Sequence, residues 1–140
     1  MPQSLAQILV HLIFSTKNRE PILSDDIRPE CMDSPSILIN SVADRAHVLF
    51  HLSKNQPLCN VIEVVKKDSS KWIKTKGKAY RNFHWQNGYG AFSVSQSNVD
   101  EVIKYIEDQK EHHCKRTFQE EFRAFLKKYQ MPYDERYVWD

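Results

Sequence analysis

Long apolar runs, paired cysteines and glycines are scarce in this sequence, and these absences exclude several classes of protein. No stretch approaches the roughly 18 uninterrupted apolar residues that a membrane-spanning helix needs, so we expect no membrane association. The first residues show neither a basic leader nor a small-residue cleavage site, which argues against a secretory signal. Cys31, Cys59 and Cys114 form no CxxC pair, which argues against a zinc ribbon or a thioredoxin-like protein. Reduced thiols of this kind are typical of a cytoplasmic protein.

The length and composition predict one folded domain over residues 1–140. A chain of 140 residues is too short for two domains of ordinary size and long enough to bury a core without disulfides. Apolar residues make up 41% and charged residues 27% of the chain. These proportions are ordinary for a globular protein and exclude a disordered or collagen-like chain.

The net charge of +2 is too small to indicate a ligand, but the positive charges are unevenly distributed. Seven basic residues and one acid, Asp68, lie within residues 66–81. Within this stretch Lys67, Lys71 and Lys74 can contact phosphates, and Trp72 can stack on a base. The alternative is that these lysines form a solvated helix face and that Trp72 anchors the core.

The pattern of apolar residues predicts an α+β fold. Strands are predicted at residues 5–16, 36–42, 46–52 and 83–95, and the second and third form a hairpin around residues 43–45. Helices are predicted from Pro57 to Gly77, from Ser97 to about His113, and over residues 118–129. This order favours a ferredoxin-like antiparallel sheet with helices on one face.

Tyr105 and Gln109 are the first candidate pair for chemistry. They are four residues apart on a predicted helix and therefore share a face. A phenolic oxygen can act as a nucleophile, and an amide oxygen can bind a hard divalent cation. The alternative is an ordinary aromatic residue beside a solvated glutamine.

Arg45 and His47 form the second candidate group. Side chains alternate along a strand, so these two point to the same face. Two histidines at this spacing would predict a metal site, but one of the two positions is occupied by arginine. A single histidine on a strand is more commonly a satisfied core or surface residue than a ligand.

Together these segments resemble the insertion-sequence-200-like transposases, which act on single-stranded DNA with one tyrosine and an HUH histidine pair. The related REP-associated tyrosine transposases share the pattern. The matching segments cover nearly the whole chain: SLAQILVHLIFSTKNREP (4–21), SILINSVADRAHVLFHLS (36–53), SSKWIKTKG (69–77), FHWQNGYGAFSVSQS (83–97), YIEDQKEHH (105–113), FQEEFRAFLKKY (118–129) and DERYVWD (134–140).

The resemblance implies a function and a set of site residues. It implies a nucleoid-associated bacterial homodimer that recognises single-stranded DNA hairpins at transposon ends. Tyr105 would attack a phosphodiester and form a 5′-phosphotyrosine link, and the released 3′-OH would later rejoin. A divalent ion, Mg²⁺ or Mn²⁺, would polarise the phosphate, with His47 and Gln109 among its ligands.

The chain departs from the family pattern in two places. Arg45 stands where the first HUH histidine is expected, and arginine cannot ligate a cation and stays protonated. Its charge would repel a metal and could hold phosphate directly. Residues 24–35 are too few for the expected first helix, so we expect that helix to be shortened or missing, and with it a tighter dimer or reduced stability.

Three functions remain compatible with these features. The first is a transposase that cleaves and rejoins single-stranded DNA, impaired by Arg45. The second is a non-catalytic, decayed or domesticated protein that binds hairpins of single-stranded nucleic acid. The third is an inactive remnant without a ligand. Formation of a covalent adduct separates the first from the second, and salt-dependent binding argues against the third.

Overall fold

The computed structural model describes residues 3–23, 37–109 and 115–139. Its sheet has four antiparallel strands in the order β2-β3-β1-β4. The strands are β1 (Leu9–Ser15), β2 (Ile37–Val42), β3 (Arg45–His51) and β4 (Gly90–Val94). The two central strands pair with Ile13 opposite His47 and Ser15 opposite Arg45. This strand order is that of a ferredoxin-like sheet, so the predicted fold class is confirmed.

Three helices lie in the described part of the chain after the hairpin: α1 (Leu58–Lys74), α2 (Val99–Glu107) and α3 (Phe118–Lys128). Pro57 occupies the N-cap position of α1, and its fixed φ suits a helix start. Thr117 caps α3, because its side chain accepts a hydrogen bond from the Glu120 amide. The prediction of a shortened or missing first helix concerns residues 24–35, which lie outside the described part of the chain.

The helices lie on both faces of the sheet rather than on one face as the sequence suggested. Even-numbered residues of β1 and β3, such as Leu12 and Val48, pack with Ile62 and Ile73 of α1. Odd-numbered residues face the other way and meet α2 and α3; Ile13, for example, packs against Phe122. All seven residues of β1 are buried, which is expected for a central strand that is covered on both faces.

The predicted boundaries of three elements differ from those observed. The first strand begins at Leu9 instead of residue 5, since residues 3–8 are exposed. Within the predicted fourth strand only Gly90–Val94 is regular, while Trp85 forms an isolated bridge to Thr16. Asn98, and not Ser97, is the N-cap residue of α2.

A half-buried lysine fixes the loop before β4. Lys66 belongs to the basic stretch of α1, but its ammonium donates hydrogen bonds to the carbonyls of Gln86 (2.9 Å) and Gly88 (2.7 Å). Burial lowers the pKa of Lys66 to about 8. This lysine therefore stabilises the protein and does not belong to the exposed basic surface.

The close approach of β4 and α3 requires glycine at position 90. A methyl group added there would overlap the ring of Phe122 and lie 3.1 Å from Cγ2 of Ile13. We expect Gly90→Ala to destabilise the fold by about 1–3 kcal/mol, the usual cost of overpacking a core. Urea denaturation measures this difference.

The double variant Gly90→Ala/Phe122→Leu provides the control for this prediction. A smaller side chain at position 122 leaves room for the added methyl group, so the destabilisation of the two single variants should sum to more than that of the double variant. If the destabilisation of the double variant equals the sum of those of the two single variants, the close approach of Gly90 and Phe122 is not the cause of the effect of Gly90→Ala.

Candidate functional site

A buried polar cluster lies on the odd-numbered face of the sheet, beneath α2 and α3. Its members are His11 of β1, Arg45 and His47 of β3, Tyr105 of α2 and Glu121 of α3. Tyr105 is half-buried, and the other four side chains are at most 1% exposed. Buried groups of this polarity need hydrogen-bond partners, and the cluster supplies them internally.

Glu121 is the centre of this cluster. Its Oε1 accepts hydrogen bonds from His47 Nε2 at 2.9 Å and from Arg45 at 3.3 Å. Its Oε2 accepts a short hydrogen bond from the Tyr105 hydroxyl. Burial alone would raise the pKa of Glu121, but the hydrogen bond and charge of His47, the hydrogen bond from Tyr105 and the charge of Arg45 lower it to about 2. Glu121 is therefore an ionised acceptor.

His11 extends the cluster to the other central strand. Its Nε2 lies 2.9 Å from Nδ1 of His47, so both ring nitrogens of His47 take part in hydrogen bonds. Burial, together with the neighbouring His47, lowers the pKa of His11 to about 3. His11 is thus neutral near pH 7 and fixes the orientation of the His47 ring.

Tyr105 reaches this cluster from α2. The centroid of its ring lies 5.7 Å from that of His47 and 5.6 Å from that of Phe125. Asn40 of β2 donates a 2.7 Å hydrogen bond to the carbonyl of Ile106 and so fixes the end of α2 against the sheet. Burial raises the pKa of Tyr105, and the charge and hydrogen bond of Glu121 raise it further. The hydroxyl is protonated in this arrangement.

Gln109 lies one turn beyond Tyr105, as the spacing predicts. It is fully buried, and its amide nitrogen lies 3.3 Å from the carbonyl of Tyr105. Its Oε1 has no hydrogen-bond partner in the described part of the chain. An unpartnered buried oxygen is the kind of group that a cation or a donor from a ligand can satisfy.

Arg45 is enclosed rather than available to a phosphate. Its guanidinium donates to Asp44 at 3.0 Å, to Glu121 at 3.3 Å and to the carbonyl of Arg116 at 3.2 Å. The side chain has no exposed surface. The expectation that Arg45 could hold phosphate directly is therefore wrong for this conformation.

A cavity of about 520 Å³ opens beside Tyr105. His11, Tyr105 and Glu121 line its inner end, and Arg116 and Lys128 contribute positive charge. Phe125 forms part of its wall. The cavity gives the polar cluster access to a ligand larger than water. Its lining also includes the carboxylates of Glu101 and Glu121, so its charge is mixed.

The predicted nucleic-acid-binding residues lie elsewhere on the molecule. Lys67, Lys71 and Lys74 are exposed on α1, while Trp72 is partly buried and carries the ammonium of Lys76 over its ring at 4.3 Å. Because α1 covers the even-numbered face, these lysines and the Tyr105 cluster lie on opposite sides of the sheet. The structure does not bring the two sets together.

Sequence reasoning missed two members of the cluster, His11 and Glu121. The signal for Glu121 was its position on the apolar stripe of α3, between Phe118 and Phe125. The signal for His11 was its place inside a strand whose other residues are almost all apolar. A polar residue at a core position needs partners, and here the two missed residues are partners of His47.

Comparison with known proteins places the chain in a family. The family model described as "Transposase IS200 like" matches residues 4–109, which include every member of the cluster except Glu121. The chain belongs to the IS200-like transposase family. A crystal structure described as a "putative transposase" from Deinococcus radiodurans R1 has the same fold, with a TM-score of 0.53 and 20% identity; the match covers 76% of this chain and 93% of that one. No curated protein matches the chain.

HUH transposases are generally metal-dependent, but the cluster of this transposase-family chain does not fit a divalent cation as it is arranged. The carboxylate that could serve as a ligand is paired with the guanidinium of Arg45, and both nitrogens of His47 are engaged. Among the described residues, no group of three or more His, Cys, Asp or Glu could hold a metal ion. His47 and Gln109 as metal ligands stay predictions.

No helix among the described residues is long and apolar enough to cross a membrane.

Removal of the Glu121 carboxylate should strongly destabilise the protein. Glu121→Ala leaves the buried charge of Arg45 with less compensation and leaves His47 and Tyr105 without an acceptor, so we expect a destabilisation of about 3–5 kcal/mol. Thermal and urea unfolding measure this effect. In the exposed pair of Arg123 and Glu135, Glu135→Ala serves as the control and should have a much smaller effect. Equal effects in the two variants would contradict a central structural role for Glu121.

Proposed function

We propose that this chain is a single-stranded DNA transposase that cleaves and rejoins DNA by transesterification at Tyr105, with activity reduced by Arg45. The observation that carries this proposal is the position of Tyr105, which lines an open cavity and lies within the same cluster as His47. Family membership supports the transposase role. Arg116 and Lys128 are the cations of the lining that would contact the phosphodiester, beside the carboxylates of Glu101 and Glu121.

The proposed step can be written for the residues of this chain. The Tyr105 oxygen attacks phosphorus, the bond from phosphorus to the 3′ oxygen breaks, and a 5′-phosphotyrosine and a 3′-OH result. The Tyr105 proton passes to Glu121, its hydrogen-bond acceptor, and the leaving 3′ oxygen takes a proton from solvent. Attack by the 3′-OH on the phosphotyrosine reverses the step and rejoins the strand.

The same contacts explain why the activity should be low. Tyr105 must lose its proton to attack, but its pKa is raised by burial and by Glu121. Glu121 is a poor proton acceptor, because Arg45 and His47 stabilise its ionised form. Replacement of a metal-ligating histidine by Arg45 also removes one route to charge stabilisation at the phosphate.

The partner of this activity is proposed to be a hairpin of single-stranded DNA at the ends of a mobile element, bound by a homodimer. The lysines of α1 are on the opposite side of the sheet from Tyr105, so they would hold a different part of the DNA from the part that is cut. Separate surfaces for holding and cutting suit a hairpin with a flanking single strand.

A second candidate function is binding of hairpin DNA or RNA without cleavage. The observation that favours it is the ion pair between Arg45 and Glu121, which involves the same carboxylate that accepts the hydrogen bond of Tyr105. In this case the cavity and the α1 lysines would retain affinity for nucleic acid in a protein that no longer carries out the chemistry.

Covalent capture of DNA separates the two functions. We expect end-labelled hairpin DNA, mixed with the protein and MgCl₂ or MnCl₂, to give a weak covalent band on a denaturing gel. The band should be absent for Tyr105→Phe, which lacks the attacking oxygen and keeps the ring, and stronger for Arg45→His. A band that persists in Tyr105→Phe would contradict the assignment of the nucleophile. Native-gel binding with no band in any variant would favour the second function.

The basic surface of α1 should determine the salt dependence of DNA binding. In Lys71→Ala/Lys74→Ala we expect weaker binding and a salt slope that is shallower by about one for each phosphate that the lysines neutralise. Filter binding at several KCl concentrations measures the slope. The charge-retaining variant Lys71→Arg/Lys74→Arg is the matched control and should keep it. An unchanged slope in the alanine variant would mean that DNA binds to another surface.

A further inference from the structure

We infer that the guanidinium of Arg45 is a built-in cation that takes the place of a divalent metal beside Glu121 and His47, and that it closes the cluster to divalent ions. This inference rests on the proposed function for the identity of the site. It goes beyond that function because it assigns a role to Arg45 and Glu121 as a charge pair, and it can be measured without DNA.

The first argument is the enclosure of the guanidinium. All three of its nitrogens donate hydrogen bonds, to Asp44 (3.0 Å), Glu121 (3.3 Å) and the carbonyl of Arg116 (3.2 Å). The ring of Phe118 lies against it, with its centroid 5.9 Å from the guanidinium carbon. The cation is held by groups from the turn before β3, from α3 and from the residues just before α3, so it cannot move away without breaking several bonds.

The atoms of the cluster that could ligate a metal already take part in hydrogen bonds. Glu121 Oε1 accepts from both Arg45 and His47, and Oε2 accepts from Tyr105. Because Oε1 of Glu121 is the common acceptor for the Arg45 guanidinium and for His47, Nε2 of His47 carries the hydrogen of this bond and has no lone pair for a metal there. A divalent ion would have to displace these bonds beside a guanidinium that cannot lose its proton.

The third argument is the geometry that histidine would create at position 45. Positions 45 and 47 lie on the same face of β3, and the side chains of both now contact Glu121. Arg45→His removes the fixed charge and places a second imidazole on the face of β3 that His47 and Glu121 occupy. Two imidazoles and a carboxylate form a donor set for a divalent transition-metal ion, for which Mn²⁺ is the probe.

The test is isothermal titration of the DNA-free protein with MnCl₂, together with melting curves in MnCl₂ and in EDTA. We expect the wild-type protein to show no binding and no shift in melting temperature. We expect Arg45→His to bind Mn²⁺ at least about tenfold more tightly than wild type and to melt at a higher temperature in MnCl₂ than in EDTA.

Three further variants keep the test decisive. Arg45→His/Glu121→Gln should bind Mn²⁺ no more tightly than wild type, because it lacks the carboxylate ligand. Arg45→Gln removes the charge without adding an imidazole and should bind less tightly than Arg45→His. Arg45→Lys keeps a cation and should behave as wild type. Circular dichroism identifies any variant that does not fold. In that case the titration of wild type still tests whether the protein excludes Mn²⁺.

Two results would overturn the inference. The first is binding of Mn²⁺ by wild type as tightly as by Arg45→His, which would show that Arg45 does not exclude the metal. The second is tight binding by Arg45→His that persists without the Glu121 carboxylate, which would show that Glu121 is not the shared partner. Neither result depends on the covalent band that tests the proposed function, so the two failures can be told apart.

Discussion

The carboxylate of Glu121 joins the two helices of one layer to the sheet beneath them. It lies in the first turn of α3 and accepts hydrogen bonds from Arg45 and His47 of β3 and from Tyr105 of α2. A buried charge is costly unless it is paired and fully hydrogen-bonded, and three donors meet this need. The N-terminal end of α3 also favours a negative charge. Glu121 therefore orients His47 together with His11, compensates Arg45 together with Asp44, and accepts the hydrogen bond of Tyr105.

The two faces of the sheet differ: one is apolar, and the other carries the polar cluster. The face toward α1 is apolar and includes Leu12, Phe14 and Val48, with Trp85 donating its indole hydrogen to Ser69 at the edge. The opposite face combines apolar packing with the polar cluster. The central strands therefore carry a core on one face and a site on the other, and the exposed lysines of α1 are separated from the site by the whole sheet.

Much of this arrangement follows from short-range rules in the sequence. Strand alternation places Arg45 and His47 on one face, and the four-residue spacing of Tyr105 and Gln109 places them on one side of α2. The hairpin of β2 and β3 follows from the apolar pattern and the turn near Asp44. These features depend on neighbours within a few residues, so the sequence is sufficient to predict them.

The other features of the fold and the site depend on long-range packing, which local sequence patterns do not predict. Glu121 lies 74 positions from His47 and 76 from Arg45, and His11 lies 36 from His47. Periodicity shows that Glu121 and His11 occupy core positions, but only the packing of α3 on the sheet shows what satisfies them. The assignment of all helices to one face failed for the same reason, since each amphipathic stripe is compatible with either face of a sheet buried on both sides.

The same carboxylate explains how the chain can hold arginine at position 45, where the resemblance to its family leads us to expect a histidine. A lone arginine placed in this buried site would be strongly destabilising, because its charge cannot be removed. Here Asp44 and Glu121 already face position 45, and a negative group that can compensate a divalent cation can equally compensate a guanidinium. The fold therefore needs a positive charge at this point, and either a guanidinium or a metal ion can supply it. Arginine satisfies this requirement of the fold but offers no lone pair to a metal in the proposed chemistry at Tyr105.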